Sequence, residues 1–436
     1  MELYPFQKDG ARWLWEKSRG LLADQMGLGK TPTALMAIPK GGTALVVCPA
    51  VMKWRWHEEC LRWRVDLTPT VLEGKKSFTR WPNPGELLIA NFDILPASPP
   101  SGFPLMTFIV DEAHYCKTST ALRTKKVRAI AGLSRRVYLL TGTPILNEPL
   151  DAWNILQVAN LATTAFDDWP TFVRLFHGKQ IELGSKRPGG RRWRKWVWGR
   201  VDPSVPERLK RTMLRRTRAE VLPELPVKTY NEVRVDLDDP EAKRLCDEAA
   251  AKLLEVGIDV NDARARSDLD SIHGEVLGAL SAARAALSEA KLPWAIELCD
   301  DLQAQGEPIV FWSAHRAPVE AIGAAEGWAT ILGGTPNAKR QDIVNQFQDG
   351  NLKGIALTIG AGGVGITLTR AAHAVFVDLD WVPAANSQAE DRICRIGQTR
   401  GCIIHRIIAD HPVDAWVTRA LARKQAIIEA SMGGIH

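Results

Sequence analysis

Three short stretches of this sequence carry side chains whose types and spacing suit phosphate chemistry. Asp24-Gln25-Met26-Gly27-Leu28-Gly29-Lys30-Thr31 is glycine-rich and ends in Gly-Lys-Thr. Bare glycines at 27 and 29 let backbone amides approach a polyphosphate, Lys30 brings a cation for its β/γ oxygens, and Thr31 brings a hydroxyl for a divalent cation such as Mg²⁺. Asp24 occupies the place where the strict pattern has its first glycine, so by itself the stretch also reads as a Gly-rich turn with a surface lysine.

Asp111-Glu112-Ala113-His114 sets two adjacent carboxylates at the end of an apolar run. Such a pair can divide labour, Asp111 neutralising a metal while Glu112 orients an attacking water, and a solvated acidic pair on a turn is the plainer alternative. Arg392 and Arg395 lie in Gln388-Ala389-Glu390-Asp391-Arg392-Ile393-Cys394-Arg395. On a helix they would share a face, and their guanidinium groups can neutralise charge that spreads over a transferring phosphoryl group. A surface helix of ion pairs with Glu390 and Asp391 is the plainer alternative. Upstream, Gln7 offers an amide donor and acceptor together, which suits the edge of adenine. Thr141, after another apolar run, either carries a signal between two sites or caps the next helix.

The elements that must position these groups are legible as short apolar runs between turn residues. Ala44 to Cys48, Leu87 to Ala90, Phe108 to Val110 and Val137 to Leu140 read as buried parallel strands with helical segments between them, an α/β layer. Ligands in such sheets bind at the carboxyl ends of the strands, where the polar residues stand. The pattern pauses after Pro149. It resumes with Pro308 to Trp312, Thr330 to Leu332, Gly354 to Ile359, Ala374 to Leu379 and Cys402 to Ile408. This second half has no Gly-Lys-Thr loop, so it is expected to complete the first half's site.

A length of 436 residues suits two domains. An apolar fraction of 45% and a charged fraction of 24% exclude disordered and membrane classes. No membrane partner is expected: no apolar run approaches the roughly 18 residues of a spanning helix, and the N-terminus lacks a signal-peptide core. Seven scattered cysteines without a C-x-x-C pair predict buried reduced thiols and no zinc. A net charge of +6 is compatible with nucleic acid. Local charge is more telling. The stretch from Gly184 to Trp196, with Arg187, Arg191, Arg192, Arg194 and Lys195, is a cationic loop interleaved with tryptophan that can follow a phosphate backbone. A nuclear localisation signal and a solvated loop are its alternatives.

The ordered set Phe6-Gln7, the loop 24–31, Val47-Cys48-Pro49 with Trp56 and Glu59, Asp111 to His114 and Leu140-Thr141-Gly142-Thr143-Pro144 resembles the N-terminal lobe of superfamily-two helicase-like ATPases of the Swi/Snf type. In that family the phosphate loop opens with Asp, which accounts for Asp24. Gln25 and Leu146 depart from its usual Glu and Gln. In the second half, Gly360 to Leu368 and Asp378 to Pro383 resemble further family motifs. Gln388 to Gln398 matches Q-A-x-D-R-x-x-R-I-G-Q, with Cys394 at the usual His. The stretches 311–322 and 332–348 resemble the subgroup whose members reanneal DNA and remodel forks.

The resemblance implies two RecA-like parallel-sheet lobes of the P-loop NTPase class with inserted helical protrusions. It places an ATP-binding lobe at 1–150, a first protrusion with the basic loop at 151–222, a hinge at 223–235, a second protrusion at 236–290 and a second lobe at 291–436. It implies ATP and Mg²⁺ as cofactors, with Gln7, Gly27, Gly29, Lys30, Thr31, Gly363 and Gly365 at the nucleotide, Thr31 and Asp111 at the metal, and Lys30, Asp111, Glu112, Arg392 and Arg395 in catalysis. It also implies nucleic-acid contacts at Lys53, Trp54, Thr141, Ser313, His315, Thr335 and Trp381. The expected function is an ATP-dependent translocase on double-stranded DNA. A strand-separating DNA or RNA helicase and a nucleotide-switched clamp are the alternatives. No reader module is recognised at either end, so a bare motor is expected, with a protein partner supplying targeting. Its location is expected to be cytoplasmic and nucleoid-associated in a prokaryotic or viral setting, and nuclear in a eukaryotic one.

Overall fold

The computed structural model describes residues 2–74, 78–100, 102, 106–184, 192–224, 226–262, 274–362, 366–395 and 397–433; of residues 183, 184, 192 and 193 only the backbone is considered. The chain divides into one unit of Met1–Pro223 with Ile427–His436, and a second of Glu224–Ala426.

The first unit is built on a seven-stranded sheet. Its strands are β1 (Arg19–Leu22), β2 (Ala44–Cys48), β3 (Thr68–Val71), β4 (Glu86–Asn91), β5 (Thr107–Asp111) and β6 (Arg136–Leu140), joined after the hairpin β7 (Lys179–Gly184) and β8 (Arg192–Val197) by the two-residue β9 (Met213–Leu214). The order is β3-β4-β2-β5-β6-β1-β9, and all its pairings are parallel. Alternate residues feed opposite faces, as a doubly covered sheet requires. Leu45, Val47, Phe108, Val110, Val137 and Leu139 join one buried cluster. Ala44, Val46, Ile109, Tyr138 and Leu140 join the other.

In the second unit β10 (Lys228–Val235), β11 (Ile309–Ser313), β12 (Trp328–Ile331), β13 (Gly354–Thr358), β14 (His373–Phe376) and β15 (Cys402–Ala409) form a parallel sheet in the order β10-β15-β14-β11-β13-β12. Helices Pro240–Glu255 and Glu275–Ala290 pack together with Trp416 in a separate apolar cluster. Each unit is thus a parallel α/β sheet with inserted helices, the bilobed P-loop NTPase architecture.

Four expectations are corrected here. Residues 228–235, read as hinge, form an edge strand paired along its whole length with β15. Its pattern hides this, because most of its side chains are exposed or half-buried. The second lobe does not run to 436, since the residues from Ile427 onward group with the first unit. The cationic loop is flanked by an antiparallel hairpin, with Arg187 and Arg191 outside the described residues. In that hairpin Trp196 stacks on Trp198, which packs edge-on against Phe172 and Phe176, so these rings fill a core. Finally, Cys394 and Cys402 are paired as a disulfide, brought to a Cα separation of 6.1 Å by the turn before β15. The other five cysteines are buried free thiols.

Candidate nucleotide site

The strands β5, β6 and β1 are neighbours, so the segments leaving their carboxyl ends are side by side. After β1 comes the loop 24–31, which turns at Gly27 (φ 86°) and Gly29 (φ 76°) before the helix Lys30–Met36. A side chain at 29 would be strained by that φ, and its Cβ would lie 2.3 Å from Gln7 Nε2. Lys30 Nζ donates to the carbonyl of Asp24 at 2.7 Å and that of Gln25 at 3.4 Å. Thr31 is half-buried in the first turn of the helix.

Gln7 is buried in the first turn of the helix Pro5–Lys17. Its Nε2 donates to Leu28 O at 3.0 Å and its Oε1 accepts from Tyr4 N at 3.0 Å. One of the amide's two donors therefore ties it to the phosphate loop, while its oxygen caps its own helix. Asp111 closes β5, and Trp56 Nε1 donates to its Oδ2 at 2.8 Å. Burial, reinforced by the neighbouring Glu112 charge, pushes the Asp111 carboxyl above the usual carboxylate range, while Trp56 and Lys30 oppose this. Glu112 sits in the left-handed region at φ 50°, uncommon for a side chain of its size and a form of strain that clusters at functional sites. Its Oε2 lies 3.1 Å from His114 Nδ1. The same nitrogen lies 3.2 Å from Thr141 Oγ1, which accepts from Thr143 N at 3.1 Å.

A hydroxyl and a buried, strained-to-ionise carboxylate suit a hard divalent cation. Among the described residues no group of three or more His, Cys, Asp or Glu side chains is placed to hold a metal. A Mg²⁺ held by one carboxylate together with substrate phosphates fits that donor set, since this ion is seldom caged by protein alone.

In the second unit Arg392 and Arg395 do not share a helix face. The helix Pro383–Glu390 ends before them, as Arg392 N turns back to Ala389 O and Cys394 N to Glu390 O. The two arginines converge through the turn instead: Nη1 of each donates to Ile366 O, at 3.4 and 3.2 Å, and Arg395 also donates to Thr367 Oγ1 at 3.0 Å. Gly363 and Gly365 lie outside the described residues.

The expected polymer contacts separate by exposure. Trp54 is 55% exposed, Arg194 is exposed, and Lys53 and Lys195 are half-buried, with Lys53 Nζ on Leu72 O at 2.7 Å. Arg192 is placed by its backbone in β8. Thr141 and Ser313 are fully buried. Each receives a nearby backbone N–H: Thr143 N for Thr141, and His315 N at 2.9 Å for Ser313. His315 Nδ1 pairs with Asp378 Oδ2 at 3.0 Å. Thr335 Oγ1 accepts from Leu332 N at 2.9 Å, and the Trp381 ring is covered by the Arg284 guanidinium at 3.8 Å. Sequence reading passed over His114 as a bridge, and it passed over Arg216, which pairs with Asp24. A buried Asp24 does call for a hydrogen-bonding cationic partner, but nothing in the pattern says that the partner lies 192 residues away.

A model of the SNF2-related domain matches residues 6–255, more than half of the chain, and one of the helicase conserved C-terminal domain matches residues 291–397. The chain belongs to the SNF2-related family. This SNF2-related chain is 28% identical over 454 residues to human "DNA annealing helicase and endonuclease ZRANB3", an alignment covering 99% of this chain and 40% of that protein. It is 30% identical over 449 residues to the Xenopus laevis "SWI/SNF-related matrix-associated actin-dependent regulator of chromatin subfamily A-like protein 1", covering 98% and 44%. The chain therefore spans less than half the length of these curated relatives. A solved structure described as "Sulfolobus solfataricus SWI2/SNF2 ATPase core in complex with dsDNA" is similar at 22% identity and a TM-score of 0.44, covering 99% of this chain and 94% of that one. Among the described residues no helix is long and apolar enough to cross a membrane.

Proposed function

We propose that this chain is an ATP-driven translocase on double-stranded DNA. The observation that carries the reading is the convergence of the Lys30 loop, the Asp111–Glu112 pair and Thr141 at the carboxyl ends of three adjacent strands. Lys30 releases its two loop carbonyls to bind the β/γ-phosphates, and Gln7 holds the loop's far side. Thr31 and Asp111 are the residues that would hold Mg²⁺, which supplies charge neutralisation to the phosphates. Glu112, oriented by His114, positions the attacking water. Arg392 and Arg395 are assigned to the charge that develops on the γ-phosphoryl oxygens. Exposed Trp54 and Arg194 are the leading candidates for backbone contact with DNA.

The printed names of the relatives, a DNA annealing helicase and a regulator of chromatin, support a DNA substrate. The test is steady-state ATPase without polymer and with duplex DNA, single-stranded DNA or RNA at one salt concentration, since backbone-driven binding depends steeply on salt. Stimulation by duplex DNA that is lost in Lys30→Ala supports the translocase. Stimulation chiefly by single strands or RNA, with unaided unwinding of a forked duplex, would replace it with a strand-separating helicase.

A further inference from the structure

We infer that Arg216 is a positioning residue for the phosphate loop, tying the set of Lys30 to the chain segment that leads out of the first unit. The inference rests on the ATP-site reading above and deepens it.

Asp24 is fully buried, so its carboxylate has no water to solvate it. The partner is a fork: Arg216 Nε donates to Asp24 Oδ1 at 3.0 Å and Nη2 donates to Oδ2. The remaining guanidinium nitrogen, Nη1, donates to the carbonyl of Phe6, immediately before Gln7. The Phe6 ring lies 5.3 Å from the same guanidinium carbon. Space for this group is reserved by the helix Pro5–Lys17, where a Cβ at Gly10 would come within 2.6 Å of Arg216 Nη2. One side chain thus holds the opening of the phosphate loop and the glutamine segment together.

The backbone repeats the connection. Ala23 N donates to Leu214 O at 2.7 Å and Gln25 N to Arg216 O at 2.9 Å, extending the β1–β9 pairing into the loop. Gln25 Oε1 in turn accepts from Arg218 N at 2.8 Å. These held residues, Asp24 and Gln25, are the two whose carbonyls receive the Lys30 ammonium. A shift of Arg216 therefore moves the loop backbone that leads into Lys30, together with the two acceptors on which its ammonium rests before nucleotide binds. Downstream of Arg216 only the one-turn helix Arg218–Val221 precedes the end of the first unit at Pro223. A strain on that exit segment reaches the loop by a short covalent and ionic path, and nucleotide contact with Lys30 reaches the exit segment by the same path.

A planar fork is needed. Lysine keeps the charge but offers a single ammonium, which cannot bond both Asp24 oxygens and the Phe6 carbonyl in this geometry. The experiment compares full-length wild type, Arg216→Lys, Asp24→Asn and the double variant by steady-state ATPase with duplex DNA, by titration with a fluorescent ATP analogue, and by apo melting temperature. For Arg216→Lys the expected result is a KM for ATP and an analogue Kd raised about tenfold or more, a smaller fall in kcat, and a fold that still melts cooperatively, because misplacement by around 1 Å suffices for such losses. The double variant should be no worse than the worse single one, as for residues that act as a unit. An analogue Kd in Arg216→Lys within about twofold of wild type, or fully additive effects, would overturn the inference even if melting falls. Failure of the underlying function is separate: wild type that neither binds the analogue nor turns over ATP removes the site reading, and the positioning role with it.

Discussion

Nδ1 of His114 stands between two oxygens, 3.1 Å from Glu112 Oε2 and 3.2 Å from Thr141 Oγ1. One ring nitrogen thereby lies beside both the Glu112 carboxylate and the end of β6. The hydroxyl on its far side is sealed from solvent, and its polar partners among the described residues are His114 and the Thr143 amide.

That bridge predicts uncoupling. Thr141→Val keeps the shape and removes the hydroxyl. ATPase with and without duplex DNA should show the stimulation ratio falling about tenfold while basal turnover falls less, as for loss of one positioned hydrogen bond. An unchanged ratio would reduce the contact to local packing.

Lys30→Ala and Glu112→Gln strike the chemistry itself. Each should lower kcat by about 100-fold or more, since positioning and charge stabilisation account for most of phosphoryl-transfer catalysis. Duplex binding, measured by fluorescence anisotropy, should stay within a few-fold of wild type in both. Near-normal turnover in either would remove the assignment.

Gly29→Ala is a steric test. Its φ of 76° and the 2.3 Å approach of a Cβ to Gln7 Nε2 leave no room for a methyl group. A loss of about 1–3 kcal/mol of stability is expected from the backbone alone. Gln7→Ala in the same chain should relieve the side-chain clash but not the backbone term, which thermal melting of the two variants separates.

Acid should loosen the second unit. His405 Nε2 is 3.0 Å from His373 Nδ1, and burial, with the His373 charge, pushes the His405 pKa down to about 4. The unfolded chain then takes up a proton near the ordinary histidine pKa of 6.5, before the fold does. Stability is full above that value and falls as pH drops from about 6.5 toward 4, by roughly 1–3 kcal/mol. His405→Asn should flatten this part of the melting-temperature profile.

Much of this molecule was legible before any coordinates. The buried runs at β2, β5, β6 and β13 announced themselves by their apolar character, β15 did so despite His405 and Arg406 in its middle, and the family motifs pointed to the candidate nucleotide site. β1, β3 and β10 escaped for physical reasons: β1 and β3 are only four residues long, and β10 leaves most side chains to solvent. The arginine pair was readable as chemistry but not as geometry, because helical spacing says nothing about where the helix Pro383–Glu390 stops. The Asp24–Arg216 bond was unreadable in position, since only the folded sheet brings β9 beside β1.

The two residues of β9 also impose an order on biosynthesis. Until residue 214 has left the ribosome, β1 is an open sheet edge, and until residue 216 follows, Asp24 has no counter-ion. A nascent chain, or a fragment cut near residue 150, would carry the phosphate-loop and Asp-Glu motifs with β1, the strand that leads into the phosphate loop, left as an open edge, the kind of surface that recruits other chains. The first unit is therefore more than its motifs: its β1 edge and the buried Asp24 are completed only by a segment made about a hundred residues after the Asp111–Glu112 pair.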